Sequence, residues 1–560
     1  MATGSDSLAT VTRVRAALTA PGSPFAAAET PEGLRYPAGP AVLRDFLAGT
    51  AVHGDRPFLE LDGRVLGYRG LRTAAAALAH RFLGHHGLRP GDRVAIAMRN
   101  LPEWQVAFWA TQLAGLVAVP LNGWWQPAEL AEALDDCAPR LLVTDAERAE
   151  RMAPWRAGRA DPPWLLTVGA TGPAGPRVER FEELPEPDPG QRAPEVAIAP
   201  GDDATIMYTS GTTGRPKGVV ATQASWCAAT VSARFFSAGA ALCAGRDPSA
   251  LPPQTALLTF PFFHVAAFTT LFPLMANGGK AVLMRKWEPR RALELIAEHR
   301  ATAFSGVPAT ALTLLDEADR QGLELASLTL FNTGGSAAPP DLARRIGRRF
   351  AGRVEPRNGY GLTETCGGVL ANVGARYLEH PESVGLPSPA LAVRIAGPDG
   401  EPLSEGEVGE LWLRGQAVFR GYWQQPEATA AAFSGDWFRT GDLARVRDGE
   451  VYVVDRLKDL VIRGGENVYC VEVEGVLSEH PAVAEAAVLG VPHPALGEEV
   501  AAVVRLRPGA TAGPEQLRAH VAARLAAFKV PAHLVVRERE LPRNALGKLL
   551  KRELRADFEP

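Results

Sequence analysis

Residues 208–218 read "YTSGTTGRPKG", which packs three glycines, four aliphatic hydroxyls and two cations into eleven positions. Such a stretch suits neither a helix interior nor a packed strand. Glycine loses the most backbone entropy on ordering, and hydroxyl side chains compete for backbone hydrogen bonds. The apolar "TIMY" (205–208) that leads into it reads as a strand. Glycines at 211, 214 and 218 admit positive φ and let successive N–H groups converge on one concavity, a nest suited to phosphate. Thr209, Ser210, Thr212, Thr213 and Lys217 add donors and a charge. A Walker loop would require G-x-x-x-x-G-K-[ST]. Here Lys217 follows Pro216, and Gly218 stands where the magnesium-binding hydroxyl belongs. The stretch therefore grips phosphate in another way.

Outward from this loop, the pattern is one of alternation. Before it, "LRTAAAALAHRFL", "PEWQVAFWATQLAG" and "PAELAEAL" have helical spacing, and "RVAIAM", "VAVPLN" and "RLLVTD" read as short buried strands. This predicts an α/β fold with doubly wound, mainly parallel sheets. Residues 146–203, rich in Pro, Gly and Arg, read as a surface connection. Alternation resumes after the loop until about residue 375, where helices are expected to stop for some eighty positions. "GELWLRG" and "WFRTGDLARVRDGEVYVVD" suggest a small β-barrel-like subdomain at about 376–455, with a hairpin turn at Asp448-Gly449. The expected division is a large N-terminal domain, 1–455, and a small mobile α+β C-terminal domain, 456–560.

With 560 residues, one core is not enough. A net charge of −4 and a pI near 6.3 give no field that favours nucleic acid or anionic membrane. The five cysteines are scattered without CxxC or zinc spacing, as expected of structural thiols in the cytoplasm. "SLATVTRVRAALTA" near the start has some transit-peptide character, but Ala and Arg are abundant throughout the chain. The uncharged runs 105–128 and 248–279 are interrupted by Pro120, Asn122, Pro261, His264 and Pro273, and no transmembrane segment is expected. A homodimer stays open.

The loop resembles the signature of the adenylate-forming superfamily, which comprises acyl-CoA synthetases, adenylation domains and luciferases. Further stretches occur in the order found there: "PFFHVAA" (261–267), "TGGSAAP" (333–339), "GYGLTET" (359–365), "GELWLRG" (409–415), "FRTGDL" (438–443), "DRLKD" (455–459), "RGGENVY" (463–469) and "NALGK" (544–548). The look is closest to actinobacterial fatty-acyl-CoA synthetases.

The resemblance implies ATP, Mg²⁺ and coenzyme A, and a role for each matching residue. Tyr360 would lie against adenine, with the backbone at Gly335 and Ser336 at the base edge, and Asn358 and Gly361 would be among the ATP-binding residues. Thr363 would touch phosphate, and Glu364 would hold Mg²⁺ as a hard oxygen ligand. Asp442 and Arg456 would bind the ribose. His264 would sit near the acyl carboxylate. Lys548 would neutralise charge between the attacking carboxylate and the α-phosphate. Lys458 would be a hinge, about which the C-terminal domain turns to bring Gly464, Gly465 and Glu466 to the thiol.

The implied activity is ATP-dependent acyl-CoA synthesis through an acyl-adenylate. The alternatives are a ligase that passes the adenylate to a carrier protein, amine or other nucleophile, and a non-catalytic lipid- or nucleotide-binding member of the fold. Apart from Glu364, already assigned to Mg²⁺, the pocket stretches "PFFHVAAFTTLFPLM", "SGVPATALTLL" and "TETCGGVLANVG" contain no evident cation or carboxylate, so the partner is expected to be an apolar acyl or aryl acid. Three positions depart from the family's usual residues. Ala267 replaces a frequent glycine and is expected to narrow the pocket, while Gln223 and Cys470 replace a frequent histidine and proline.

Overall fold

Short apolar strands between amphipathic helices can bury their side chains only by stacking into layers. The computed structural model describes residues 4–31, 33–171, 175–209, 216–336, 338–543 and 549–558. Two large sheets dominate it, of eight and nine strands. In the first, six parallel strands run in the order Asp203–Thr209, Val117–Pro120, Arg93–Ala97, Leu141–Asp145, Trp164–Val168 and Val178–Arg180. The Lys217–Thr222 and Gly421–Tyr422 strands extend its other edge antiparallel. In the second sheet, six parallel strands include Thr255–Leu258, Ala303–Gly306, Leu330–Gly334 and Glu355–Leu362. The antiparallel Gly367–Val373 strand lies against the last of them.

The helices Tyr68–Gly84, Pro102–Leu113 and Val265–Asn277 and strands of both sheets share one continuous core. Every residue of Pro102–Leu113 is buried, as suits a helix that is apolar nearly all round. Trp104, Trp109 and Trp226 anchor this layer; the Trp226 Nε1–H donates to Thr205 Oγ1 (2.9 Å), and its ring meets Phe268 edge-on at 4.8 Å. Aromatic pairs of this kind add to the energy of area burial alone.

A third sheet of five strands contains Gly409–Gly415, Trp437–Arg447 and Glu450–Arg456. Asp448 and Gly449, both at positive φ, turn its last hairpin as expected. The C-terminal sheet, also of five strands, is built on the long Val483–His493 and Gly497–Leu506 pair and is packed by the Cys470–Ser478 and Pro514–Ala522 helices. No described helix is long and apolar enough to cross a membrane.

Four expectations need correction. Residues 146–203 are more than a surface connection: they form the Ala146–Ala157 helix and the last two strands of the first sheet, because "WLLTV" pairs in register with "LLVTD". Helices persist beyond residue 375 as the short Ala375–Glu379 and Pro426–Ala432. Pro273 lies inside the Val265–Asn277 helix without ending it, and nine buried residues of that helix offset the lost hydrogen bond. Gly218 does not serve positive φ. It lies in a strand opposite Tyr208, where a Cβ would come within 2.8 Å of Ile206 Cγ2, so close packing demands the glycine.

Gly361 marks the tightest backbone approach near the site. The register shifts between Tyr360 and Gly361, and a Cβ at 361 would lie 1.8 Å from the Gly367 carbonyl oxygen. Backbone cannot yield as a side-chain tip can. Gly361→Ala should therefore cost at least about 1–3 kcal/mol of unfolding free energy, measured by urea denaturation. An unchanged midpoint would show that the irregularity relaxes freely.

Candidate active site

The strand Glu355–Leu362 ends at the carboxyl edge of the second sheet, where parallel α/β sheets hold their ligands. It delivers Asn358, Tyr360 and Gly361 and leads directly into the Thr363–Thr365 turn that carries Thr363 and Glu364. The Tyr360 hydroxyl donates to Asp442 Oδ2 at 2.6 Å. Arg456 Nε lies 3.4 Å from Asp442 Oδ1, because the two residues face each other in the Trp437–Arg447/Glu450–Arg456 hairpin. Residues 360, 442 and 456, distant in sequence, thus meet at one carboxylate that is only 4% exposed. Burial and the Asp442 charge hold the Tyr360 phenol well above its ordinary range, so it stays a donor.

A second group forms around Tyr422, a residue that the sequence reading did not single out. Its hydroxyl donates to Glu364 Oε1 (3.0 Å), and the Lys217 ammonium lies 4.9 Å from its ring centroid. Pairing of Val219 with Tyr422 makes this possible, and no local pattern in the sequence announces it. Thr209 and Lys217, which flank the glycine-rich stretch in sequence, pair with each other across two antiparallel strands. Ser210, Gly211, Thr212, Thr213 and Gly214 lie outside the described residues, as does Lys548.

Burial raises the Glu364 carboxyl above the usual range, opposed by hydrogen bonds from backbone and from Tyr422. A buried carboxylate that is costly to ionise fits a role as ligand to a divalent cation, which would restore what desolvation removes.

His264 lines a cavity of about 110 Å³ between the second sheet and the helices Gln223–Cys243 and Val265–Asn277. Its Nδ1 accepts the Ala266 N–H (3.2 Å) at the helix start, which leaves the ring proton on Nε2. Burial lowers its pKa to about 4, so the ring is neutral at physiological pH. Gly335, at φ +79°, is its neighbour: a Cβ there would lie 4.0 Å from His264 Cε1. The cavity is bounded by His264, Gly335, Asn358 and Gly361, together with apolar groups such as Phe236, Val265 and Leu370. Ser336 follows directly after Gly335.

Two expectations about this pocket fail. Ala267 is fully buried in the core and is not among the lining residues, because its side chain leaves the helix on the other face. The lining also contains a cation, Arg357, which lies outside the stretches from which the pocket was read. Lys551, which would pass for a solvated surface lysine, is instead held by Glu474 Oε1 at 2.7 Å. Burial opposes its charge, but Glu474 and its neighbours outweigh that and raise its pKa.

Gly464 and Gly465 form the two-residue tip between the Val461–Arg463 and Glu466–Val468 strands, both at positive φ. That tip and exposed Lys458 do not line the cavity. Gln223 Oε1 accepts the Leu43 N–H and its amide donates to Gln112, so it serves the core. Cys470 opens a helix, and its thiol contacts the Asp459 carbonyl (3.0 Å).

The raised carboxyl of Glu364 has a consequence for stability. A folded-state pKa above the unfolded value adds stability below the ordinary glutamate range, near pH 4.3, and loses it as pH rises through the folded value. Glu364→Gln removes that loss. Its ligand-free Tm should exceed that of the unmodified protein at pH 7, and the gap should close below about pH 4. A variant less stable at pH 7 would show that Glu364 is held ionised at no cost.

A family model described as AMP-binding enzyme matches residues 47–423, and one described as AMP-binding enzyme C-terminal domain matches 472–548. The chain is 37% identical over 500 residues to a feruloyl-CoA synthase of Amycolatopsis, a match covering 89% of this chain and 94% of that one. It is 34% identical over 482 residues to the long-chain-fatty-acid–CoA ligase FadD13 of Mycobacterium tuberculosis, covering 84% and 89%. Among solved structures, the o-succinylbenzoate CoA synthetase of Bacillus subtilis in complex with its acyl-adenylate superposes with a TM-score of 0.76 at 29% identity, covering 91% and 97%. The amide bond synthetase McbA of Marinactinospora thermotolerans gives 0.79 at 28%, covering 92% and 100%. With both family models matched in order and the fold shared, this chain belongs to the AMP-binding enzyme family, the adenylate-forming superfamily its motifs resemble.

Proposed function

We propose that the chain is an AMP-forming acid–thiol ligase that joins an apolar or aryl carboxylic acid to coenzyme A in two half-reactions. The observation that carries this is the meeting of Tyr360, Asp442 and Arg456 beside Glu364, at the edge of a cavity that His264 lines. Asp442 accepts from the ribose hydroxyls, with Arg456 beside it and Tyr360 presenting its ring to adenine. The glycine- and hydroxyl-rich residues from Thr209 to Lys217 would bind the phosphates. Glu364, steadied by Tyr422, would hold Mg²⁺, which when bound offsets the charge of the phosphate oxygens. Neutral His264, in the cavity lining, offers its Nε2–H where an acid's carboxylate would point toward the α-phosphorus. Positioning and charge neutralisation then do most of the chemistry.

In the first half-reaction a carboxylate oxygen attacks the α-phosphorus and pyrophosphate leaves, with Lys548 countering the developing charge. In the second, the segment from residue 456 onward turns about Lys458, and the Gly464–Gly465 tip with Glu466 arrives as the thiol attacks the acyl carbonyl and AMP leaves. The named activities of the feruloyl-CoA and fatty-acid–CoA ligases support coenzyme A as the acceptor. The likeness to an amide bond synthetase makes an amine the outcome to test against it.

The first test is product analysis. ATP should yield AMP and pyrophosphate only when a carboxylic acid is supplied, with acyl-CoA formed when coenzyme A is present. ADP and phosphate released without acid would overturn the reading, and amide formation in preference to thioester would reassign the acceptor.

The second test separates the half-reactions. Lys548→Ala should cut adenylate formation by about 10²-fold or more, yet still convert supplied acyl-adenylate to acyl-CoA. Lys458→Pro, with φ fixed near −65°, should do the reverse. Proportional loss of both activities in both folded variants would favour a single static site.

A further inference from the structure

The cavity is chemically different at its two ends. One end lies at the carboxyl ends of the strands, beside His264, Gly335 and Gly361. The other, inner end lies where those strands begin, at Gln254, Ala303 and Leu330. From residue 330 to 334 the Leu330–Gly334 strand advances four residues, about 13 Å. This depth suits an aryl or medium-length acid and falls short of an extended long acyl chain.

Arg357, opposite Asn332, lines the cavity two residues in from Gly334 and bonds to Glu355, which stands opposite Leu330 at the inner end. It shares a strand face with Gly359, where a Cβ would meet nothing nearer than 3.9 Å, so the glycine keeps the space in front of Arg357 open. The Arg357 side chain is 17% exposed. Its Nε donates to Glu355 Oε1 (2.6 Å), and one terminal nitrogen reaches Ser237 Oγ at a long 3.4 Å. The other Glu355 oxygen is engaged by Arg246 at 3.0 Å. Two guanidinium groups thus share one carboxylate, and of the two Arg357 lines the cavity, as the one Lys or Arg among its described lining residues. Of the five N–H donors on a guanidinium, Glu355 and Ser237 account for two of those on Arg357.

An acid with a plain hydrocarbon end would bury its methyl or ring edge against these donors and strip water from them with no replacement. We infer that Arg357 is a specificity-determining residue that takes a hydrogen-bond-accepting oxygen on the distal end of the acid, so that the preferred substrates carry oxygen at both ends. This rests on the ligase reading above and narrows its substrate class. The distal oxygen is a neutral hydroxyl or ether, or the oxygen of a second carboxylate. Glu355 orients the guanidinium and Ser237 supplies a further hydroxyl beside it.

The test uses matched acids and reads a ratio. Pyrophosphate release is measured for 3-phenylpropenoic acid against its para-hydroxy derivative, and for octanoic acid against 8-hydroxyoctanoic and octanedioic acids. The unmodified protein should favour an oxygen-bearing member by at least about 10-fold in kcat/KM, and the hydroxy and dicarboxylic arms tell neutral from anionic oxygen. In Arg357→Leu that ratio should fall toward one, with Arg357→Lys intermediate. Taking the ratio within each variant cancels any general loss of activity, and if Arg357→Leu fails to fold, Arg357→Lys and Ser237→Ala read the same ratio. Pyrophosphate release without preference, or a preference unmoved by the substitutions, would overturn the assignment while leaving the ligase reading intact. No release with any acid would overturn both.

Discussion

The Asp442 carboxylate joins the second large sheet, through the Tyr360 hydroxyl, to the hairpin that ends in Arg456. Much of the site depends on it. Tyr360 comes at the end of a parallel strand, Asp442 from the middle of an antiparallel one, and Arg456 from the last residue before the chain turns toward its C-terminal sheet. A buried acid touched by a phenol donor and a guanidinium fixes the three in register with one another. On the proposed reading the same carboxylate would meet a sugar's hydroxyls, and the contact that holds the layers together would also prepare the place for the nucleotide.

Around that carboxylate, burial is the dominant electrostatic influence. It raises Glu364, raises the Tyr360 phenol and lowers His264. Each shift moves the group away from the charged form, as desolvation does. A polyphosphate and a cation would supply the missing counter-charges. Ligand binding and electrostatic relief are thereby coupled, and the apo protein bears the cost of preorganisation.

The junction after residue 455 shows a related arrangement. Burial raises Asp455 to about 6, with Lys551 opposing the shift, and Lys551 itself is held by Glu474. Cys470 contacts the carbonyl of Asp459 from the start of its helix. Arg456 accepts from the N–H groups of Asp459 and Leu460, which makes the segment a tight turn. The C-terminal helix thus anchors next to the turn about which the proposed rotation occurs, so local contacts there bear directly on domain orientation.

The sequence by itself determined the fold class, the order of the motifs and most elements that deliver side chains to the site. It could do so because the evidence is local: period-two and period-3.6 apolar spacing, Asp448-Gly449 in a hairpin, glycines beside an apolar strand. It also named Tyr360, Glu364, Asp442 and Arg456, through their places in short motifs. Tertiary structure decided what depends on contacts between distant segments. Tyr422 reaches Glu364 only because two-residue strand Gly421–Tyr422 adds to the edge of the first sheet. Gly218 is a glycine because Ile206 crowds it, and Lys551 is paired rather than free in solvent because Glu474 meets it. Arg357 faces the cavity because Gly359 leaves room and the Gln223–Cys243 helix crosses over it. These facts follow from packing across layers, where the neighbour that matters lies far away in the chain and leaves no periodic trace in it.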